Sequence, residues 1–225
     1  MTNRSRVLLF FPAFHGLSAL ICFIIGLNLM NHSHFFSGAE WFGFSLFLLY
    51  LLPPFLYRIH NFLFPIRIGF DRITSQKGQK KYNAWWGTHQ LQILFIAFPA
   101  LESALRIIPG LYSAWLRLWG AEIGRSVYWT PRAEIIDRGL VKIGDYVLFG
   151  HDVALCSHVV TPGPNGLRIY IREIKIGNEC LIGAKSKFGP GVQIANGLKI
   201  PYSTEGRINQ IFSKEDFQVK VGTHE

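Results

Sequence analysis

Large apolar residues recur at every sixth position through the C-terminal half of the chain. In "AEIGRSVYWTPRAEI" they are Ile123, Trp129 and Ile135; in "VKIGDYVLFGHDVAL", Ile143, Phe149 and Leu155. "IKIGNECLIGAKSKFGPGVQI" continues the beat with Ile176, Ile182, Phe188 and Ile194. Glycine follows six of the ten: Gly124, Gly144, Gly150, Gly177, Gly183 and Gly189. A helix repeats near 3.6 residues and a strand near two, so neither produces this spacing. A solenoid with three flat faces and about eighteen residues per coil does, each face turning one apolar side chain inward. A glycine or other small residue fits the tight corner after each face.

The phase breaks twice. Ile135 and Ile143 lie eight apart, so "IDRGLVK" holds two extra residues. Leu155 and Ile176 lie 21 apart, three more than a full coil. Pro162, Gly163, Pro164 and Gly166 mark that second interval as an ejected loop. Function collects on loops held by a rigid scaffold. The stretch "GHDVALCSH", Gly150 to His158, runs directly into this one.

"KIGDYVLFGHDVAL" and "KIGNECLIGAKSKFGPGVQI" resemble the left-handed parallel β-helix, hexapeptide-repeat acyltransferases, and the likeness covers roughly residues 118–197. It implies a homotrimer with active sites in grooves between neighbouring β-helices. It also implies transfer of an acetyl or longer acyl group, from coenzyme A or acyl carrier protein, to a hydroxyl or amine. In that family a histidine just before the loop is the general base, and His158 stands there; an imidazole titrates near working pH. Asp137, one coil earlier, matches an acidic residue that binds the acceptor or orients the base; a loop-capping aspartate is the alternative. His151 and Ser157 are further acceptor-binding candidates, His151 equally suited to interface packing. The family's oxyanion donor, a backbone N–H, falls here on Gly183-Ala184. Lys185 and Lys187, with Lys175 and Arg172, are candidates for the coenzyme phosphates or are solvated surface charge. Leu181 stands where many relatives carry tryptophan, and the usual closing Asn-Pro-Ala is not visible.

Metal and covalent chemistry are disfavoured. The γ-class carbonic anhydrases share this coil and bind zinc through three histidines, but no histidine occurs between His89 and His151. A covalent acyl-Cys156 would need a lowered thiol pKa, and only His158 is near in sequence. The three cysteines form no disulfide or metal pattern, which fits a reducing compartment.

Hydrophobic residues make up 49% of the chain and the net charge is +9, which suits a membrane and anionic partners. No basic block is interleaved with aromatics, so nucleic acid is not expected. Val7 to Met30 is an uncharged run of 24 residues, long enough to span a bilayer. A cleaved signal peptide is disfavoured by that length and by the lack of a small-residue cleavage site. Trp41 to Tyr57 is a second uncharged run, ending in Pro53-Pro54: a kinked span or a re-entrant arm. Arg4 and Arg6 precede the first run, and Arg58, Arg67 and Arg72 follow the second, so both ends should face the cytoplasm. Residues 91–119 are apolar but broken by Pro99 and Pro109; interfacial helices with Trp85, Trp86, Trp115 and Trp119 at headgroup depth are expected, a third span being the alternative.

The expected organisation is a membrane-anchoring α-helical region over 1–119, an all-β left-handed parallel β-helix over 120–200 and a tail over 201–225. The expected activity is a membrane-anchored, sugar- or polysaccharide-type O-acetyltransferase. It would use acetyl-CoA at the cytoplasmic face of the membrane on a small-molecule or lipid-linked acceptor, without a metal. The alternatives are an acyl-carrier-protein-dependent long-chain acyltransferase and a non-catalytic trimeric scaffold.

Overall fold

The computed structural model describes residues 35–73, 82–163 and 166–217. The run Val7–Met30 lies outside them. Two nearly continuous helices open the described chain, α1 (Phe35–Tyr50) and α2 (Leu52–Leu63). Pro53 and Pro54 open α2, where a missing N–H costs least. Phe42–Leu63 is 22 residues of mean hydropathy 1.5, long and apolar enough to cross a bilayer by length and composition. A short strand β1 (Gly69–Arg72) follows, then α3 (Ala84–Ala97), α4 (Pro99–Arg106) and α5 (Leu111–Leu118). Residues 91–119 therefore hold three separate helical pieces, each too short to span, broken at Pro99 and Pro109-Gly110. Trp85, Trp115 and Trp119 are buried inside the protein, and of the four tryptophans only Trp86 is exposed.

From residue 122 the chain winds through three parallel walls. The first stacks β2 (Glu122–Ile123), β4 (Val141–Ile143), β9 (Ile174–Ile176), β12 (Gln193–Ile194) and β15 (Ile211–Phe212). The second stacks β5 (Leu148–Phe149), β10 (Leu181–Ile182) and β13 (Lys199–Ile200), with Tyr128 bridged onto Leu148. The third stacks β3 (Glu134–Ile135), β6 (Ala154–Leu155), β11 (Lys187–Phe188) and β14 (Glu205–Gly206). Each coil visits the walls in that order, and the residues on the beat of six are the buried ones.

The beat continues past residue 200 through Gly206 and Phe212, so residues 201–212, read from sequence as a tail, supply β14 and β15. Gly206 hides the repeat because it occupies an inward position: a Cβ there would sit 2.6 Å from the Phe188 ring. The corner glycines also have a different cause from the one expected. Left-handed backbone falls two residues later, on Ser126, Tyr146, Asp152, Glu179 and Lys185. Gly150 and Gly183 are small because the next coil passes directly against them; a Cβ on Gly150 would lie 2.5 Å from the Ala184 nitrogen.

The 21-residue interval is not a coil plus three. Leu155 ends a third-wall strand and Ile176 ends the following first-wall strand, one face later. The excess forms a hairpin, β7 (His158–Gly163) and β8 (Gly166–Ile171), which leaves the coil and pairs with β1 in the order β1-β8-β7, all antiparallel. The helices and the coil share one buried cluster that includes Tyr57, Phe95, Trp115 and Trp119 as well as Ile123 through Phe212.

Candidate active site

Both breaks in the beat fall at the corner between the third wall and the first, in consecutive coils. The two extra residues of the upper coil bring Asp137 and Arg138 to that corner, and the hairpin of the next coil starts there at His158. His158 Nδ1 lies 2.7 Å from Asp137 Oδ2. Asp137, 1% exposed, also accepts the Ser157 N–H at 2.9 Å on that oxygen and the Trp85 indole N–H at 2.9 Å on the other. His158 keeps 15% of its side-chain surface.

Helix α3 clamps this corner. Asn83 caps it, its side chain accepting the Trp86 N–H. Trp85 and His89, one turn apart, then share a face. The Trp85 ring packs 4.4 Å from the His158 ring and stacks on His89 at 4.7 Å, and His89 meets His158 edge-on at 5.8 Å. Two turns beyond Trp85, Gln92 accepts the Arg138 N–H at 2.8 Å. Arg138 and Arg106, each 2% exposed, share the Glu102 carboxylate, which Tyr112 also donates to. An adjoining cleft of about 270 Å³ is lined by Glu102, Arg106, Arg138 and the 131–134 turn, and His158 is not part of it.

The electrostatics follow from burial and pairing. Burial disfavours a charged His158, but the hydrogen bond to Asp137, reinforced by Cys156, outweighs it and pushes the imidazole up to about 10. Burial by itself would raise the Asp137 carboxyl; the hydrogen bonds and charge of His158 and the Trp85 indole hold it below the usual carboxylate range. Burial lowers the His89 imidazole, and the nearby Asp137 charge offsets this only in part.

The other sequence candidates sit elsewhere. Ser157 is fully buried and its hydroxyl donates to Leu140 O at 2.9 Å, so it braces the corner and cannot reach an acceptor. His151, with half its side chain exposed, occupies the corner between the second and third walls, beside Asp152. Gly183, Ala184 and Lys185 stack under it in the next coil, Lys185 N–H donating to His151 O at 2.7 Å. The segment stacked under the His158 corner is instead the one after Phe188, because Leu155 pairs with Phe188. The Ala184 amide is therefore not one coil from the base within a single chain. Lys187 points outward on the third wall between Ala154 and Glu205. Trp85 and His89 are the site residues the sequence reading missed; their one available signal was a spacing of four at the start of a capped helix.

Asp137, Cys156 and His158 have ligand atoms within 4.8 Å of one another, a set of types that binds zinc. The Asp137–His158 hydrogen bond, however, already occupies Asp137 Oδ2 and His158 Nδ1, and a cation would have to displace its proton. Cys156 Sγ approaches His158 at 3.7 Å on Nδ1, the nitrogen already held by Asp137. A nucleophile–base–carboxylate relay needs the thiol and the carboxylate on opposite nitrogens.

No protein-family model and no curated protein matches the chain. Among solved structures, a hexapeptide-repeat-containing acetyltransferase from Vibrio cholerae superposes with a TM-score of 0.32 at 16% identity, over 50% of this chain and 86% of its own. Serine acetyltransferase isoform 3 from Entamoeba histolytica, solved in complex with cysteine, superposes with a TM-score of 0.24 at 13% identity, over 86% of this chain and 69% of its own. At these scores neither likeness informs the chemistry.

Proposed function

We propose that this chain is a membrane-anchored acyltransferase of left-handed β-helix type, with His158 as general base and Asp137 as the group that orients it. The observation that carries this reading is the Asp137–His158 hydrogen bond on Nδ1. It leaves Nε2 as the nitrogen available to take the proton of an acceptor hydroxyl while that oxygen attacks the thioester. The thiol of the donor leaves with the electron pair of the broken C–S bond and collects the proton from His158. The donor is acetyl-CoA or a longer acyl thioester, and the acceptor is a glycan or lipid-linked hydroxyl.

The proposed homotrimer gives the second corner a role. Tyr128, Leu148 and Leu181 form an exposed apolar column along the second wall, in direct register. Covering that column with a second copy would bring the His151, Gly183-Ala184 and Lys185 corner of one protomer toward the groove of its neighbour. The donor site would then be intersubunit.

The test uses the full chain reconstituted in nanodiscs. Acetyl-CoA, long-chain acyl-CoA and acyl-carrier-protein thioesters are offered with water-soluble glycans or with a lipid-linked glycan fraction, and thiol release is followed. Acceptor-dependent release that His158→Ala lowers by about a hundredfold or more supports the enzyme. Absence of release from every donor, with the trimer intact, favours the scaffold reading instead.

A further inference from the structure

The hairpin that carries His158 has a second face that the chemistry does not use. In the β1-β8-β7 sheet, Ile169 and Ile171 point inward onto Trp85 and Leu140. Alternation then turns Phe70, Arg72, Arg168, Tyr170 and Thr161 the other way. Arg72 and Arg168 are direct cross-strand partners. Like charges in that register repel, and among the described residues neither has an ion-pair partner. Phe70, 75% exposed, packs on Tyr170 at 4.7 Å, and with Asp71 and the two arginines it lines an open concavity of about 500 Å³.

The chain path fixes where this face lies. Five residues separate Leu63, the end of the apolar helical stretch, from β1. They do not run out extended, because the Ile66 N–H turns back to the Asn61 side chain at 3.0 Å. The path from the helix end to β1 also exposes Phe62, Leu63, Phe64 and Ile68. Large apolar side chains interleaved with arginines are the composition of a surface at headgroup depth.

We infer that the outer face of the β1-β8-β7 sheet docks on an anionic lipid surface, Phe70 entering the interface and the Arg72–Arg168 pair bridging lipid phosphates. Two guanidinium groups held side by side suit a phosphate, and binding one removes their mutual repulsion. This rests on the membrane-anchored reading and adds to it: the insertion that supplies the base would itself be a membrane-bound arm. His158, on the inner face, would then lie one sheet thickness from the bilayer surface, within reach of a lipid-linked acceptor.

An environment-sensitive dye on Thr161→Cys reports the arm, and one on Lys214→Cys, on the exposed turn past the last strand and off the second wall, serves as the control. The unsubstituted chain gives the background from its native cysteines. The full chain is reconstituted in nanodiscs of phosphatidylcholine with or without phosphatidylglycerol, and a lipid-borne nitroxide quenches the dye. Expected are strong quenching at Thr161→Cys in anionic discs, little at Lys214→Cys, and loss of docking by roughly thirtyfold in Arg72→Gln/Arg168→Gln. High salt should release the arm without any substitution, so the result does not depend on how the variant folds. Quenching at Thr161→Cys no greater than at Lys214→Cys, or unchanged by salt and by the arginine substitutions, overturns the inference alone. A chain that does not enter the discs at all overturns the membrane anchor together with it.

Discussion

His158 is held by two opposing effects, and the balance predicts its pH behaviour. Burial favours the neutral ring, Asp137 favours the cation, and Asp137 prevails, raising the group to about 10. The proposed base catalysis draws on the neutral form, so each pH unit below that value removes about nine-tenths of the active base. The rate with a fixed donor and acceptor should therefore climb with pH across the neutral range, well past the 6.5 of a free imidazole. Asp137→Asn removes the charge that holds the proton. Its pH–rate midpoint should move down toward 6.5, and its plateau should fall roughly a hundredfold because the ring is no longer fixed by a carboxylate. A midpoint that stays where it was would show that Asp137 does not set the base. Trp85 belongs to the same scale, since its indole N–H is one of the bonds that keep Asp137 ionised inside the protein.

At the scale of elements, the coil is a stack in which neighbouring corners touch backbone to backbone. Gly150 shows the consequence. Its replacement by alanine drives a Cβ to 2.5 Å from the Ala184 nitrogen, and backbone cannot move aside as a side chain can. Gly150→Ala should cost on the order of 1–3 kcal/mol, read as a lowered midpoint in thermal unfolding. Gly197→Ala makes the contrast: no atom lies within 4 Å of its Cβ position, so its cost comes only from the left-handed backbone it occupies. Equal losses at the two positions would refute close rung packing as the reason for the Gly150 corner. The coil was legible in the sequence because inward residues every sixth position are a direct image of three faces. The hairpin was not, because two antiparallel strands carrying their own alternation, "HVVTPG" and "GLRIYI", look like a loop against a beat of six.

Across the whole molecule, the helices are part of the core and hold the site together. Glu102 on α4 neutralises Arg106 of its own helix and Arg138 of the coil, all three nearly out of water. Glu102→Gln leaves two buried guanidinium groups sharing no anion and should cost about 3–5 kcal/mol in urea unfolding. Because Arg138 adjoins Asp137, the same change should also lower activity under conditions where the protein remains folded. A stability loss within experimental error would mean that the cluster does not join the two regions. The exposed column on the second wall makes the other prediction at this scale. If the proposed trimer is built on that column, Leu148→Glu/Leu181→Glu should convert it to monomers by light scattering, with the circular dichroism of the coil retained; an unchanged mass would refute that interface.

What followed from the sequence alone was the set of properties written in local spacing: a three-faced coil, an apolar helical approach to it, a corner where the phase slips, and a histidine at that corner. The tertiary structure decided which residues meet. Asp137 and His158 are 21 positions apart, and Trp85 is 52 from Asp137; their contact depends on two irregular corners stacking in register and on a capped helix folding back across them. Spacing of six is a property of each coil by itself, whereas a site built at the corner between coils exists only once the coils are stacked.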